Sequence, residues 1–580
     1  MIMKNKIFGA VIYVSLLIFF IFAAYILYIN QEVLYTAQDR SEYIYGSPFF
    51  VSLLSKPFGL TQYVGAWLTQ LFYKPVLGAA VLMTIWVLIF LVGTKAFRLE
   101  GNAKALMLLP LSCLLASIVD LGYWIYIFTI RGYWFSQSIG LLAMFLLLWT
   151  ARCTARKWHL IWYLAGFCLY PVLGWFAWLF ILCLVLTEKP SWPEILAVVL
   201  CIFSASTWRI LIYSNQNFDE LLWAGFPHFV TPVEESLYLS LPFWFLGAFT
   251  LIIPILSRFV QQWFIPALCT LAGLSLTLSL MYSDKNYIDE MRMVRYASDD
   301  NWKEVLNVAS ENSSPSHTMV LLKNIALMND GDLLDRSFVL GNNGIPVYAP
   351  DSIHISVLNI ASPLICYNYG MINEAIRLSY ENAVPTGFSP FYMKMISRCA
   401  KATGEKDLEE RFTHLLQCNM FYKDWQAAPT NTATELLHKS FADELYGVEN
   451  NCERYVIDNL SALSDSTNKV VSEQALFYSM MRRDSQRFWS SLRNYVKSHK
   501  DGIFPRHAME AYIMYMDKAP EKKRIMLPVE QEVYDRYKKF WTTLEGHFKS
   551  GMATQDIPEK MRGEFGDTYW YYNVFATNLY

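Results

Sequence analysis

The sequence predicts an all-α chain in two parts: a polytopic transmembrane helical bundle over residues 1–284, then a soluble domain of helical repeats over residues 285–580. Three observations carry this. Long, nearly uncharged apolar runs are confined to the first part. After Asp284, apolar residues recur instead at three- and four-residue spacing. Charge segregates with them: residues 1–284 hold 15 of the 48 basic and 12 of the 50 acidic side chains, a formal +3 against −5 for the remainder. The mean hydropathy of +0.24 therefore averages two unlike halves.

Ile7 to Ile29 is an unbroken apolar run behind Lys4 and Lys6, and a helix needs ~20 such residues to cross a bilayer core. No small-x-small cleavage site follows before Asn30, so the run reads as a signal anchor. Val76 to Val92, Ala105 to Phe128, Trp134 to Thr150, Ile195 to Tyr213, Pro242 to Leu256 and Phe264 to Tyr282 are further candidate spans. Leu160 to Thr187 decides the topology. Read as one span, it leaves the second half inside; read as a hairpin turning near Tyr170 and Pro171, it leaves that half outside. The hairpin is the reading adopted, because Pro171 removes a helix hydrogen bond, Gly166 and Gly174 flank it, and Arg258 then falls on the inner side with Lys95, Arg98, Lys104, Arg152, Arg156 and Lys157. These assignments place the chain in the bacterial inner membrane, with its C-terminal domain on the outer side.

That topology gathers Asp39, Arg40, Glu42, Asp120, Arg131 and Arg209 toward the outer face. A charge in or beside an apolar span needs a partner, a wet cavity or a route to the interface. Ion pairing or snorkelling would satisfy each residue singly. Taken together they suggest a site in which Asp39 or Glu42 is a general base, Arg131 and Arg209 grip a lipid phosphate, and Asp120 and Arg40 support them. The stretch from Pro48 to Tyr73, with Lys56, Trp67, Phe72 and Tyr73, either lies along the interface or packs on the bundle.

The layout from Ile7 to Pro190 resembles the GT-C class of membrane glycosyltransferases: one N-terminal span, a long outer loop with acidic residues, an amphipathic stretch, then paired spans. Leu164-Ala165-Gly166-Phe167-Cys168-Leu169-Tyr170-Pro171-Val172-Leu173-Gly174 is similar to the short-helix hairpin of that class. The resemblance implies transfer of a sugar from a polyprenyl-phosphate donor to an outer-face acceptor, with membrane lipid as a partner and no cofactor. Two departures stand out: Asp39 is followed by Arg40 rather than a second acid, and the hairpin turn lacks Lys or Thr. The whole chain also resembles an uncharacterised bacterial family of membrane proteins with C-terminal helical domains.

In the second half, Ile360, Ala361, Leu364 and Ile365 trace one helix face, and Tyr392, Met395, Ile396 and Cys399 another. Tyr369-Gly370-Met371-Ile372-Asn373-Glu374 and Thr403-Gly404-Glu405-Lys406-Asp407-Leu408 are offset by 404 − 370 = 34 positions. That period resembles tetratricopeptide repeats, with looser units near Gly331 and Asp484, and implies a groove for a protein partner. Asp330-Gly331-Asp332 and Gly341-Asn342-Asn343-Gly344 read as turns, since no strand brackets them. Tyr569-Trp570-Tyr571-Tyr572 reads as a packed terminal helix rather than a sugar platform. No CxxC or HExxH spacing points to a metal site; Cys366 and Cys399 read as free buried thiols, and the charge balance does not suit nucleic acid. The functional expectation is a GT-C-like transferase. Its alternative is a non-catalytic membrane scaffold whose repeats bind envelope proteins, while a transporter would show two related halves, and none are seen.

Overall fold

The computed structural model describes residues 2–126, 131–227, 237–259, 262–284, 286–344, 357–441, 452–500, 504–518 and 527–576. Phe128, Glu234 and Glu235 lie outside these, as do the side chains of Lys4 and Lys6. Among the described residues the protein is helical and has no β-strand.

The first half begins with α1 (Ile2–Ile29), followed by three short helices, α2 (Gln31–Asp39), α3 (Ser47–Leu54) and α4 (Gly59–Thr69). Next come α5 (Pro75–Ala96), α6 (Leu108–Val119) and α7 (Tyr133–Cys153). α5 and α7 run side by side in the same direction: Trp86 Nε1 donates to Ser138 Oγ at 3.1 Å, and Arg98 Nη2 to the Arg152 carbonyl at 2.7 Å. α6, between them in sequence, packs mainly on two later helices of the first half and is buried at every position but Leu109, which explains why it is apolar on every face. Among the described residues five helices are, by length and composition, long and apolar enough to cross a membrane: Val11–Ile29, Pro75–Ala96, Gly101–Val119, Tyr133–Cys153 and Leu239–Leu256. The third stops at Val119, short of the expected Phe128, because Gly122 adopts a positive φ of 53° and the chain continues as a single 3₁₀ segment, Gly122–Tyr126.

The expected hairpin is present. α8 (His159–Cys168), the single turn α9 (Tyr170–Leu173) and α10 (Trp175–Thr187) replace one long helix. α8 and α10 approach so closely that a Cβ at Gly166 would sit 2.4 Å from Ile181 Cδ1. The apex docks on the first loop, where Pro171 and Val172 carbonyls accept from Phe58 N (2.7 Å) and Thr61 Oγ1 (2.6 Å). α11 (Trp192–Ile202) and α12 (Ser204–Leu211) form a pair bent by 62°. The short α13 (Phe218–Leu222), then α14 (Leu237–Leu256) and α15 (Ile265–Leu280), complete the bundle. The Pro48 to Tyr73 stretch packs on the bundle: α4 lies on α7, with Gly65 against Gly132, while Val51, Leu54, Leu60, Val64 and Trp67 remain exposed.

The hydrophobic core divides within α16 (Tyr287–Ser298): Tyr287 and Met291 belong to the first core, Met293 and Val294 to the second. Helix pairs then follow one another, among them α17 (Trp302–Glu311), α18 (His317–Asp330), α20 (Val357–Asn368), α21 (Ile372–Thr386), α22 (Pro390–Thr403), α23 (Lys406–Gln417), α26 (Lys469–Met481) and α27 (Ser485–Ser498), the intervening α19, α24 and α25 being Leu333–Arg336, Thr432–His438 and Cys452–Ala462. Among the described residues seven helix ends share one geometry, two of them at Arg98 (Leu99 amide to Thr94) and Gly551 (Met552 amide to His547) and five at turns between helices of the second half. In each the residue ending the helix is left-handed (at the turns Asp300, Gly331, Gly370, Gly404 and Arg483), and the next amide bonds back five residues: Asn301 to Tyr296, Asp332 to Leu327, Met371 to Cys366, Glu405 to Ala400 and Asp484 to Ser479. This is the Schellman closure, which satisfies carbonyls the helix end would orphan. Asp330-Gly331-Asp332 is one of these turns, its two carboxylates each 3.3 Å from Arg336. Tyr569, Trp570 and Tyr572 are buried as expected of a packed terminal helix, and Cys366 and Cys399 are free buried thiols.

Candidate functional site at the seam between the halves

α2 carries most of the predicted site. It follows α1 after a break at Asn30, so its residues leave the apolar bundle and meet the second half. Glu32 receives Arg295 Nη1 at 3.2 Å on each carboxylate oxygen, and Arg295 also lies 4.1 Å over the Tyr35 ring. Asp39 pairs with Lys394 at 2.9 Å. Glu42 pairs with Arg131 and also accepts the Phe388 amide at 3.3 Å. Farther along, Gln70 Oε1 accepts the Met420 amide at 2.7 Å, and Tyr73 stacks on Phe421 with centroids 5.1 Å apart. Each contact joins the first loop or its neighbours to α16, α22, the segment before α22 or the segment after α23, apart from the Glu42–Arg131 pair within the first half.

Arg40 is held differently. Its guanidinium lies 3.6 Å over the Phe391 ring, with Tyr126 at 5.2 Å and Tyr392 at 5.5 Å, and Nη1 has no hydrogen-bond acceptor among the described residues. A guanidinium sheds water onto aromatic faces more readily than an ammonium does, which suits this burial. Arg40, Ser41, Glu42 and Tyr133 border a cavity of about 40 Å³. That is room for water rather than for a sugar ring.

Asp39, Arg40, Glu42 and Arg131 thus lie along the seam as closed pairs and a stacked cation. Arg209 is not with them. It is exposed on α12 with its guanidinium 6.0 Å from the Phe218 ring, and borders neither the seam cavity nor a larger one described below. The expected convergence of Arg131 and Arg209 on one phosphate is corrected accordingly: the 62° bend between α11 and α12 carries Arg209 toward α13 instead. Asp120 is buried at the end of α6, does not border the seam cavity, and finds no hydrogen-bond donor for either carboxylate oxygen among the described residues.

Sequence reasoning missed the other side of the seam: Lys394, Arg295, Phe391 and Glu290. α22 is buried at every position from Pro390 to Ala400, so Lys394 and Arg398 on that helix must each meet an acid; they meet Asp39 and Asp300, the latter at 2.9 Å. Glu290 is fully enclosed and accepts Tyr123 Oη at 2.7 Å and Ser316 Oγ at 2.9 Å, and its burial pushes the carboxyl above the usual glutamate range.

A family model described as a family of unknown function, DUF6057, matches residues 6–576. The chain belongs to the DUF6057 family. One model covers both halves of the DUF6057 chain, so the family's unit is the bundle joined to the helix-pair half, including both sides of the seam. No curated protein and no solved structure matches it. Among the described residues no three His, Cys, Asp or Glu side chains converge as metal ligands.

A second cavity, of about 320 Å³, lies between the segment leading into α4, α7, and α13 with the turn after it. Its walls include Lys56, Gln62, Gln137, Asp219, Glu220 and Trp223.

Proposed function

We propose that this protein is a membrane-anchored scaffold: a polytopic inner-membrane bundle that holds a tetratricopeptide-like helical domain rigidly against its outer face, where the domain binds envelope proteins. The observation that carries the reading is the seam. The acids expected to do chemistry are already spent: Asp39 on Lys394 and Glu42 on the Phe388 amide, both across the seam, and Glu42 also on Arg131 within the first half. The space beside them, about 40 Å³, is closed to a sugar.

The side of the domain follows from charge. Arg98 reaches the Arg152 carbonyl, Arg152 pairs with Glu188 at 3.2 Å, and Arg156 pairs with Glu194 at 2.9 Å, so a cationic belt gathers at the end of α5 and α7 away from the seam. The positive-inside rule supports putting that end in the cytoplasm and the seam outside.

A second reading, GT-C-like transfer of a polyprenyl-phosphate-linked sugar, is favoured by one observation. The short-helix hairpin docks its apex on the first-loop helices through Phe58 and Thr61, the layout that resemblance implies. One pair of variants separates the readings. Asp39→Asn alone strands the Lys394 ammonium, whereas Asp39→Asn with Lys394→Met removes both charges. A scaffold recovers domain attachment and cellular function in the double variant; a transferase using Asp39 as base stays inactive in both, with labelled-sugar transfer in membranes reduced by ~10²- to 10⁴-fold. Transfer activity lost equally in both variants would overturn the scaffold reading.

A further inference from the structure

Both α5 and α7 end on the face away from the seam, and two arginines close those ends on each other. Arg98 Nη2 donates to the Arg152 carbonyl at 2.7 Å and Arg152 Nη1 to the Ala96 carbonyl at 2.6 Å, so each helix answers a terminal carbonyl of the other. The local acids are spent as well, Glu188 on Arg152 and Glu194 on Arg156. Lys95, Arg98, Lys104, Lys157 and Lys189 are left without a carboxylate partner among the described residues, against one acid without a cation, Glu100. Lys95 gives its ammonium to no carbonyl either. It lies 4.9 Å over the Trp149 ring and so bridges α5 to α7.

We propose that the paired ends of α5 and α7 bind the headgroup of an anionic phospholipid. Lys95 and Arg98, one helical turn apart, offer an ammonium and a guanidinium to the non-bridging oxygens of a phosphodiester. Trp149 sets the depth, because indole rings collect at headgroup level. Toward the membrane interior, Leu88 and Leu91 share the α5 face of Lys95, and Leu146 lies one turn before Trp149 on α7; all three are exposed, which gives acyl chains an apolar wall. An ethanolamine lipid would bring an ammonium of its own, for which Glu188 and Glu194 are already taken and Glu100 alone remains. A soluble phosphate would leave the leucines uncovered. The site rests on the membrane reading proposed above and is the same for a scaffold or a transferase.

The test uses the full chain, delipidated in detergent and supplied with equal amounts of phosphatidylglycerol and phosphatidylethanolamine, with retained lipid counted by native mass spectrometry. Phosphatidylglycerol should be retained about tenfold over phosphatidylethanolamine, the order that two cations at a membrane surface supply. Lys95→Gln with Arg98→Gln should remove most of that preference, and Lys95→Gln alone, which breaks no hydrogen bond, should remove part of it. Lys157→Gln with Lys189→Gln takes the same charge from the stretches before α8 and α11 and should leave the preference standing. Millimolar glycerol phosphate should not displace the lipid. Equal retention of the two lipids, a preference unchanged in the Lys95 and Arg98 double variant, a preference lost equally in both double variants, or displacement by glycerol phosphate overturns the site. Retention of neither lipid overturns the membrane reading with it, whereas equal retention of both leaves that reading intact.

Discussion

Asp39 and Lys394 are each more than nine-tenths buried, so neither can lose its partner cheaply. Removing one member of a buried pair typically costs ~3–5 kcal/mol, because the remaining charge is left uncompensated, while replacing both by neutral groups is often close to neutral. Asp39→Asn should therefore lower the unfolding midpoint and open the seam to protease, and adding Lys394→Met should restore most of the loss; equal destabilisation in single and double variants would argue against the pair. Glu473 on α26 makes a different prediction. Burial, with Asp335 and Asp332 nearby, pushes its carboxyl up to about 7. A carboxyl with a raised pKa binds its proton more tightly when folded, so its contribution to stability is full below its unfolded value near 4.5 and is lost as pH climbs to about 7. Glu473→Gln should flatten that decline and stabilise the protein above pH 7 by on the order of 2 kcal/mol, read from chemical denaturation across pH. That Asp39, Glu42 and Arg131 needed partners was legible in the sequence, since charges beside apolar spans are costly. Which partners they take was not, because Lys394 and the Phe388 amide reach them only after the second half folds back on the first.

The helix-turn-helix units show the same division at the scale of elements. Gly370 and Gly404 gave the 34-residue spacing, because only glycine enters the left-handed region without a Cβ penalty. The turns at Asp300 and Arg483 have the same hydrogen bond but no glycine at the left-handed residue, so the spacing is clear in the sequence at Gly370 and Gly404 and only loose near Gly331 and Asp484. The two glycines should respond differently to substitution. Gly404 has a φ of 79° and open space where a Cβ would go, so Gly404→Ala should cost only the backbone term, about 1 kcal/mol. At Gly370 a Cβ would lie 2.5 Å from the His438 amide nitrogen, so Gly370→Ala should cost clearly more and loosen α24 from the turn. Equal losses in thermal unfolding would mean that the close packing of residues 437–438 on this turn is wrong. The hairpin was similarly legible, from Pro171 between Gly166 and Gly174. The fate of Pro48 to Tyr73 was not, since an apolar face reads alike whether it meets lipid or a neighbouring helix; α4 buries one face on α7 and leaves Leu60, Val64 and Trp67 exposed.

In the molecule as a whole, one family model spans both halves, and a seam lies at one end of the bundle with a cationic belt at the other. Breaking the seam at several points at once, with Glu32→Gln, Asp39→Asn and Glu42→Gln, should free the second half to move without unfolding the bundle, whose core from Ile12 to Met291 is independent of those acids. Limited proteolysis would then cut near residue 285 far faster than in the wild type. The most direct test of the central claim is the side of the membrane on which each end lies. In a cysteine-free background, single reporters Gly404→Cys and Lys95→Cys are treated with a membrane-impermeant maleimide on right-side-out spheroplasts. The account predicts that Gly404→Cys reacts at once and Lys95→Cys reacts only after the membrane is permeabilised; the reverse pattern, or reaction of both before permeabilisation, would contradict it.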